Sequence, residues 1–146
     1  TSYNLYIYTG ALMGTFMFLN VWLIIWPNQR IIIESNTQIK AGGEALPEAG
    51  AAAPKAALAS RTNTLFSLPM LFFMLASGHL ASDSGLGFGS LLAQGVDTAV
   101  VLSLVIILAL EINAIMGKLG PMATVRGVIH CSLLLTVVLW AVLHYL

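Results

Sequence analysis

Charge is what this sequence has least of. Six basic and six acidic side chains make up 8% of its 146 residues, where a soluble domain carries about 25%. That shortage excludes an ordinary water-soluble domain. A formal net charge of zero also removes the basic footprint on which nucleic-acid binding depends. Cysteine is scarcer still. The single Cys131 excludes an internal disulfide, a Cys-x-x-Cys-His haem attachment and an all-cysteine metal site; within an apolar run it reads as a small buried side chain. The three histidines and the carboxylates show no zinc-ligand spacing. Ser67, Ser103 and Ser132 stand alone in apolar stretches, where a hydroxyl usually bonds a preceding carbonyl rather than acting as a nucleophile. The glycines of GLGFG at 85–89 have the wrong spacing for a dinucleotide loop, and no strand precedes them.

Apolar residues, at 58%, are present in abundance and come in long runs. The run from Leu5 to Trp26 holds no charge and is long enough to cross a hydrocarbon layer of about 30 Å. It meets Pro27-Asn28-Gln29-Arg30, which discourages its continuation in lipid, and Trp22 and Trp26 suit the headgroup layer at that end. Gly10 and Gly14 form a small-xxx-small pair that lets another helix approach closely. Three further spans follow, at about 63–80, 96–116 and 122–145. In the second, Thr62 or Asn63 is the expected N-cap, and Pro69 bends a helix whose neighbours satisfy the freed carbonyl. Residues 27–61 read as a cytoplasmic loop, rich in Ala, Gly and Pro, with partial helix near its end. The expected architecture is therefore an all-α integral membrane protein, a single four-transmembrane-helix bundle over 1–146. The short turn at 117–121 makes the last two spans an antiparallel hairpin.

Orientation follows from the cations. Arg30, Lys40, Lys55, Arg61, Lys118 and Arg126 all fall on one side of such a bundle, and the other side holds none. The positive-inside rule makes the basic side cytoplasmic and both termini periplasmic, across a bacterial inner membrane.

Two constellations carry possible chemistry. Asn20, Glu111 and Arg126 lie at similar depths, about 7–10 Å inside the cytoplasmic turns. An unpaired charge in lipid costs several kcal/mol, so Glu111 is expected to meet Arg126 or Asn20, with Asn63, Asn113 and Ser67 completing the network. The plain role is a structural tie; the functional alternatives are a proton or quinone-headgroup site, or contact with a partner. The second constellation is His79, His130 and His144. His79 and His144 end their helices on the same side, where two imidazoles can ligate the iron of one b-type haem. His130 lies fourteen residues before His144 on nearly the same helical face. The plain reading is interfacial histidines bonded to headgroups or neighbours. Phe66, Met70, Phe72, Phe73 and Met74 can line a flat cofactor, but such a surface is more often packing.

Two stretches, NVWLIIWPNQR (Asn20–Arg30) and SRTNTLFSLPMLFFMLASGH (Ser60–His79), joined by an Ala-rich linker, resemble the membrane domain of PuuD-type urate hydroxylases, the urate oxidase N-terminal family. The resemblance covers about 17–80, with 94–146 alike only in hydropathy. It implies a membrane-anchored cytochrome arrangement in which a periplasmic cytochrome c faces the membrane domain. Three functions compete on this basis. The first is a small membrane subunit of an electron-transfer or respiratory complex, embedded among lipids and other membrane subunits and scaffolding them or holding one haem b. The second is a stand-alone oxidoreductase resembling urate hydroxylase. The third is a small transporter or channel component gated by Glu111 and Arg126.

Overall fold

A computed structural model describes residues 3–80 and 97–146; the GLGFG stretch and Asp83 lie outside the described residues. The described chain is all helical. Helix α1 (Tyr3–Leu19) passes through a π-helical turn (Asn20–Ile25) directly into α2 (Trp26–Lys40). After a connection at 41–48 comes α3 (Ala49–His79), and then α4 (Thr98–Met116), a 3-10 turn (Gly120–Ala123) and α5 (Val125–Tyr145).

Three helices are long and apolar enough to cross a membrane: Leu5–Lys40, Thr98–Met116 and Val125–Tyr145. Helix α3, which contains the second expected span, is more polar because it is the central helix. It packs against α1, α2, α4 and α5, and its polar side chains are spent internally. Thr62 donates to the Leu58 carbonyl, Ser67 to Thr64 and Ser77 to Met74, as lipid surroundings demand of hydroxyls.

The expected loop at 27–61 is not one. The first helix does not stop at Pro27 but continues to Lys40, and the next begins at Ala49. Pro27 is tolerated because it sits in the first turn after the π-helical segment. There the Trp26 N–H reaches back five residues to the Val21 carbonyl, and this wider turn relieves the ring's conflict with the preceding turn. Alanine, the best helix former, accounts for the rest. Ala52, Ala56 and Ala59 share one face of α3 and are buried, so α2 and the start of α3 pair as a helical hairpin. Its connection is pinned where Ser35 Oγ accepts from the Leu46 N–H at 3.0 Å. Gly42, at φ +84°, takes the left-handed turn after α2 that glycine makes without strain. Thr62 and Asn63 are consequently mid-helix residues and not caps.

Helices α1 and α3 are antiparallel and close. A Cβ added to Gly10 would stand 3.1 Å from the Met70 carbonyl oxygen and 3.2 Å from the Met74 nitrogen. The small-residue pair is thus used inside the bundle. Tyr6 and Phe73 meet there with ring centroids 5.5 Å apart, and both are fully buried with Phe66 and Met13. The Phe–Met cluster of α3 is divided accordingly: Phe66 and Phe73 form core, whereas Met74 is partly exposed.

Helix α5 runs parallel to α3. Ser132 Oγ donates 2.7 Å to the Leu65 carbonyl, and Phe72 and Leu80 share a cavity with Thr136 and Trp140 further along both helices. On the α5 side Val128, Ser132, Leu135 and Leu139 are buried at helical spacing.

Candidate functional site: an amide–carboxyl cluster inside the bundle

Three polar side chains from three helices meet inside the bundle. Asn20 opens the π-helical turn and is 1% exposed, while its successors Val21, Trp22 and Leu23 face outward. Its Nδ2 donates to Asn63 Oδ1 on α3 at 3.0 Å and to Glu111 Oε2 on α4 at 3.1 Å. Asn63 Nδ2 in turn donates 3.0 Å to the Met17 carbonyl. That bond supplies a donor where the backbone ladder of the first helix changes step from α to π. Such bulges often sit at functional positions.

The cluster has a definite chemical character. Glu111 is 7% exposed and meets an amide rather than a cation. Arg126 is exposed, and among the described residues it makes no ion pair. The expected Glu111–Asn20 contact is therefore present and the Glu111–Arg126 contact is not. Equal depth was a correct guide to the first. It failed for the second because Glu111 faces α1 and α3, whereas Arg126 sits in the first turn of α5, beyond a gap between α4 and α5. Asn113 and Ser67 do not join the cluster. Asn113 instead clasps the hairpin turn, with Nδ2 donating to the Lys118 carbonyl and Oδ1 accepting the Lys118 N–H.

All three histidines are exposed. His79 ends α3. His144, near the end of α5, stacks on Trp140 with centroids 5.2 Å apart and meets Tyr145 edge-on at 4.8 Å. His130 is half the helix away, its Nδ1 2.6 Å from the Arg126 carbonyl oxygen. A cavity of about 320 Å³ lies between α3 and α5, lined by Phe72, Leu80, Thr136, Val137 and Trp140; neither His79 nor His144 is part of its lining. Among the described residues no group of three or more His, Cys, Asp or Glu could hold a metal ion.

Sequence reading missed two features. One is the Ser132–Leu65 bond between α5 and α3. The other is a groove of about 650 Å³ between α4 and α5, whose wall includes Cys131.

Among the described residues, fold and cluster together define an all-helical arrangement with three membrane-length helices, organised around a central α3 and tied by a buried amide–carboxyl contact. Within that class, the chain belongs to the urate oxidase N-terminal family, whose model matches residues 1–140. The match extends over α4 and most of α5 as well as the stretch quoted from the sequence. No curated protein and no solved structure matches the chain.

Proposed function

We propose that the chain is a small integral membrane subunit of an electron-transfer assembly related to urate hydroxylase, and that its own part is to scaffold. The observation that carries this reading is the closure of the Asn20–Asn63–Glu111 cluster. Three hydrogen bonds among these side chains and the Met17 carbonyl hold three helices together at one depth, as suits a frame on which other subunits register. A gate built from Glu111 and Arg126 would need those two groups in contact. In the proposed topology α3 also crosses the membrane, because it lies antiparallel along the whole of α1 and α2. That gives four crossings of a bacterial inner membrane, with the cationic α2–α3 hairpin cytoplasmic and both ends periplasmic. Two experiments test this. Purification in mild detergent is expected to bring down a larger redox complex, and a monodisperse chain that turns over urate alone would overturn the subunit reading. Cysteine introduced at Ala45 in a Cys131→Ser background is expected to label only from the cytoplasm; labelling from the periplasm would reverse the orientation.

A second reading is favoured by the placement of His79 and His144 at the same ends of parallel, adjacent helices that have an apolar cavity between them. There the two imidazoles would hold one b-type haem, which supplies one-electron transfer when bound, facing a periplasmic cytochrome c. The expected result is a Soret band with a reduced α-band that His144→Ala abolishes. A featureless spectrum of the purified complex would remove this reading and leave the scaffold.

A further inference from the structure

We propose that the groove between α4 and α5 is a binding site for one anionic phospholipid, with an acyl chain along the groove and the phosphate at Lys118. The proposal is independent of the electron-transfer reading. Although joined by a short turn, the two helices do not close on each other, and about 650 Å³ lies between them. Leu65 of α3 forms the floor, Ala109 and Leu134 are among the walls, and the turn closes one end. Along α5 the groove runs from the turn to Val138, about 20 Å at the helical rise. That is somewhat more than one leaflet of a hydrocarbon layer about 30 Å thick.

Polarity is confined to one end. Lys118 and Asn113 are the polar side chains at the mouth, and Arg126 stands exposed in the first turn of α5. From Gly117 to Arg126 there is no acidic residue. A groove that is apolar along one leaflet and cationic at the headgroup level matches an anionic glycerophospholipid, and basic recesses between membrane helices select such headgroups. Other occupants fit less well. A helix about 10 Å across and 20 Å long would occupy roughly 1,600 Å³, more than twice the space. A prenyl quinone presents no negative charge to Lys118, and the Asn113 amide is engaged at both its nitrogen and its oxygen with the Lys118 backbone.

The test reconstitutes the full chain in nanodiscs of phosphatidylcholine with a minor fraction of phosphatidylglycerol. Lipid retained after transfer to the gas phase is then counted by native mass spectrometry. The wild type is expected to keep one phosphatidylglycerol, with at least tenfold preference over phosphatidylcholine. Lys118→Ala, at an exposed position, is expected to lose that preference. Ala109→Trp, which fills the groove from an exposed wall position, is expected to lose at least tenfold of the retention. Equal retention of the two lipids by the wild type, an undiminished preference in Lys118→Ala, or a retained quinone in place of phospholipid would each overturn the proposal. Because Lys118→Ala perturbs no packing, it decides the matter even where Ala109→Trp fails to fold.

Discussion

The molecule contains two helical hairpins made in opposite ways. In the first, α1 and α2 lie along α3 through glycine and alanine: Gly10 at the membrane level, then Ala52, Ala56 and Ala59 beyond it. In the second, α4 and α5 leave a groove between them, and each is tied to a neighbour instead. Glu111 ties α4 to α1, and Ser132 ties α5 to α3. Lipid tails are as apolar as leucine, so no hydrophobic force draws two membrane helices together. Close approach of backbones and interhelical hydrogen bonds must do so. Where polar ties are lacking, as along the facing walls of α4 and α5, the helices part and a groove remains.

The contrast is broken most severely at the turn of the second hairpin. A Cβ on Gly127 would fall on the Pro121 carbonyl oxygen, so Gly127→Ala is expected to cost about 3 kcal/mol or more, read as a fall in thermal unfolding temperature in detergent. Next comes the polar tie. Glu111→Ala leaves Asn20 short of an acceptor and is expected to cost about 1–3 kcal/mol. Glu111→Gln retains an oxygen for Asn20 Nδ2 and should recover more than half of that loss; equal losses for the two variants would show that the contact does not bear on stability. The first hairpin is sharpened by its two glycines. Gly10→Ala presses on the backbone of α3 and should destabilise by about 1–2 kcal/mol. At Gly14 an added Cβ would meet only Met70 and Met74 side-chain atoms at 3.8 and 3.9 Å, so Gly14→Ala should be neutral or gain up to about 1 kcal/mol from helix propensity. The smallest effect belongs to Ser103. Its hydroxyl is buried without a hydrogen-bond partner, and Ser103→Ala is expected to raise stability by up to about 1 kcal/mol.

Much of this was legible in the sequence, for physical reasons that can be named. Long apolar runs broken by a single charge each, Glu111 and Arg126, place α4 and α5, since few other structures tolerate such runs. Asn20, Asn63 and Glu111 were legible as a cluster because helical rise converts position into depth. Arg126 shares that depth but not that direction, and depth alone does not tell which way a side chain faces across a splayed hairpin. The stretch at 27–61 reads as a loop because its Gly and Pro are local helix breakers and its alanines offer little core, yet most of it is helix. The alanines at 52, 56 and 59 fall on one face, which was the available signal of a close helical pair. Gly10 and Gly14 announced a close contact, but the partner, Met70 and Met74 of α3, is specified by the antiparallel register and not by any local motif. The ring of His144 turned toward Trp140 and Tyr145 was likewise beyond reach, since residues one and four apart on a helix can stack or diverge according to rotamer.

The unbroken run from Tyr3 to Lys40 is about 57 Å long at the helical rise, and Asn20 stands close to its midpoint. That residue is also where the rod is fastened to both α3 and α4, and where its winding loosens by one π turn. A helix of that length crossing a hydrocarbon layer of about 30 Å leaves nearly half of itself outside it, so Arg30 and Lys40 are carried into water on the same rod that runs through the lipid.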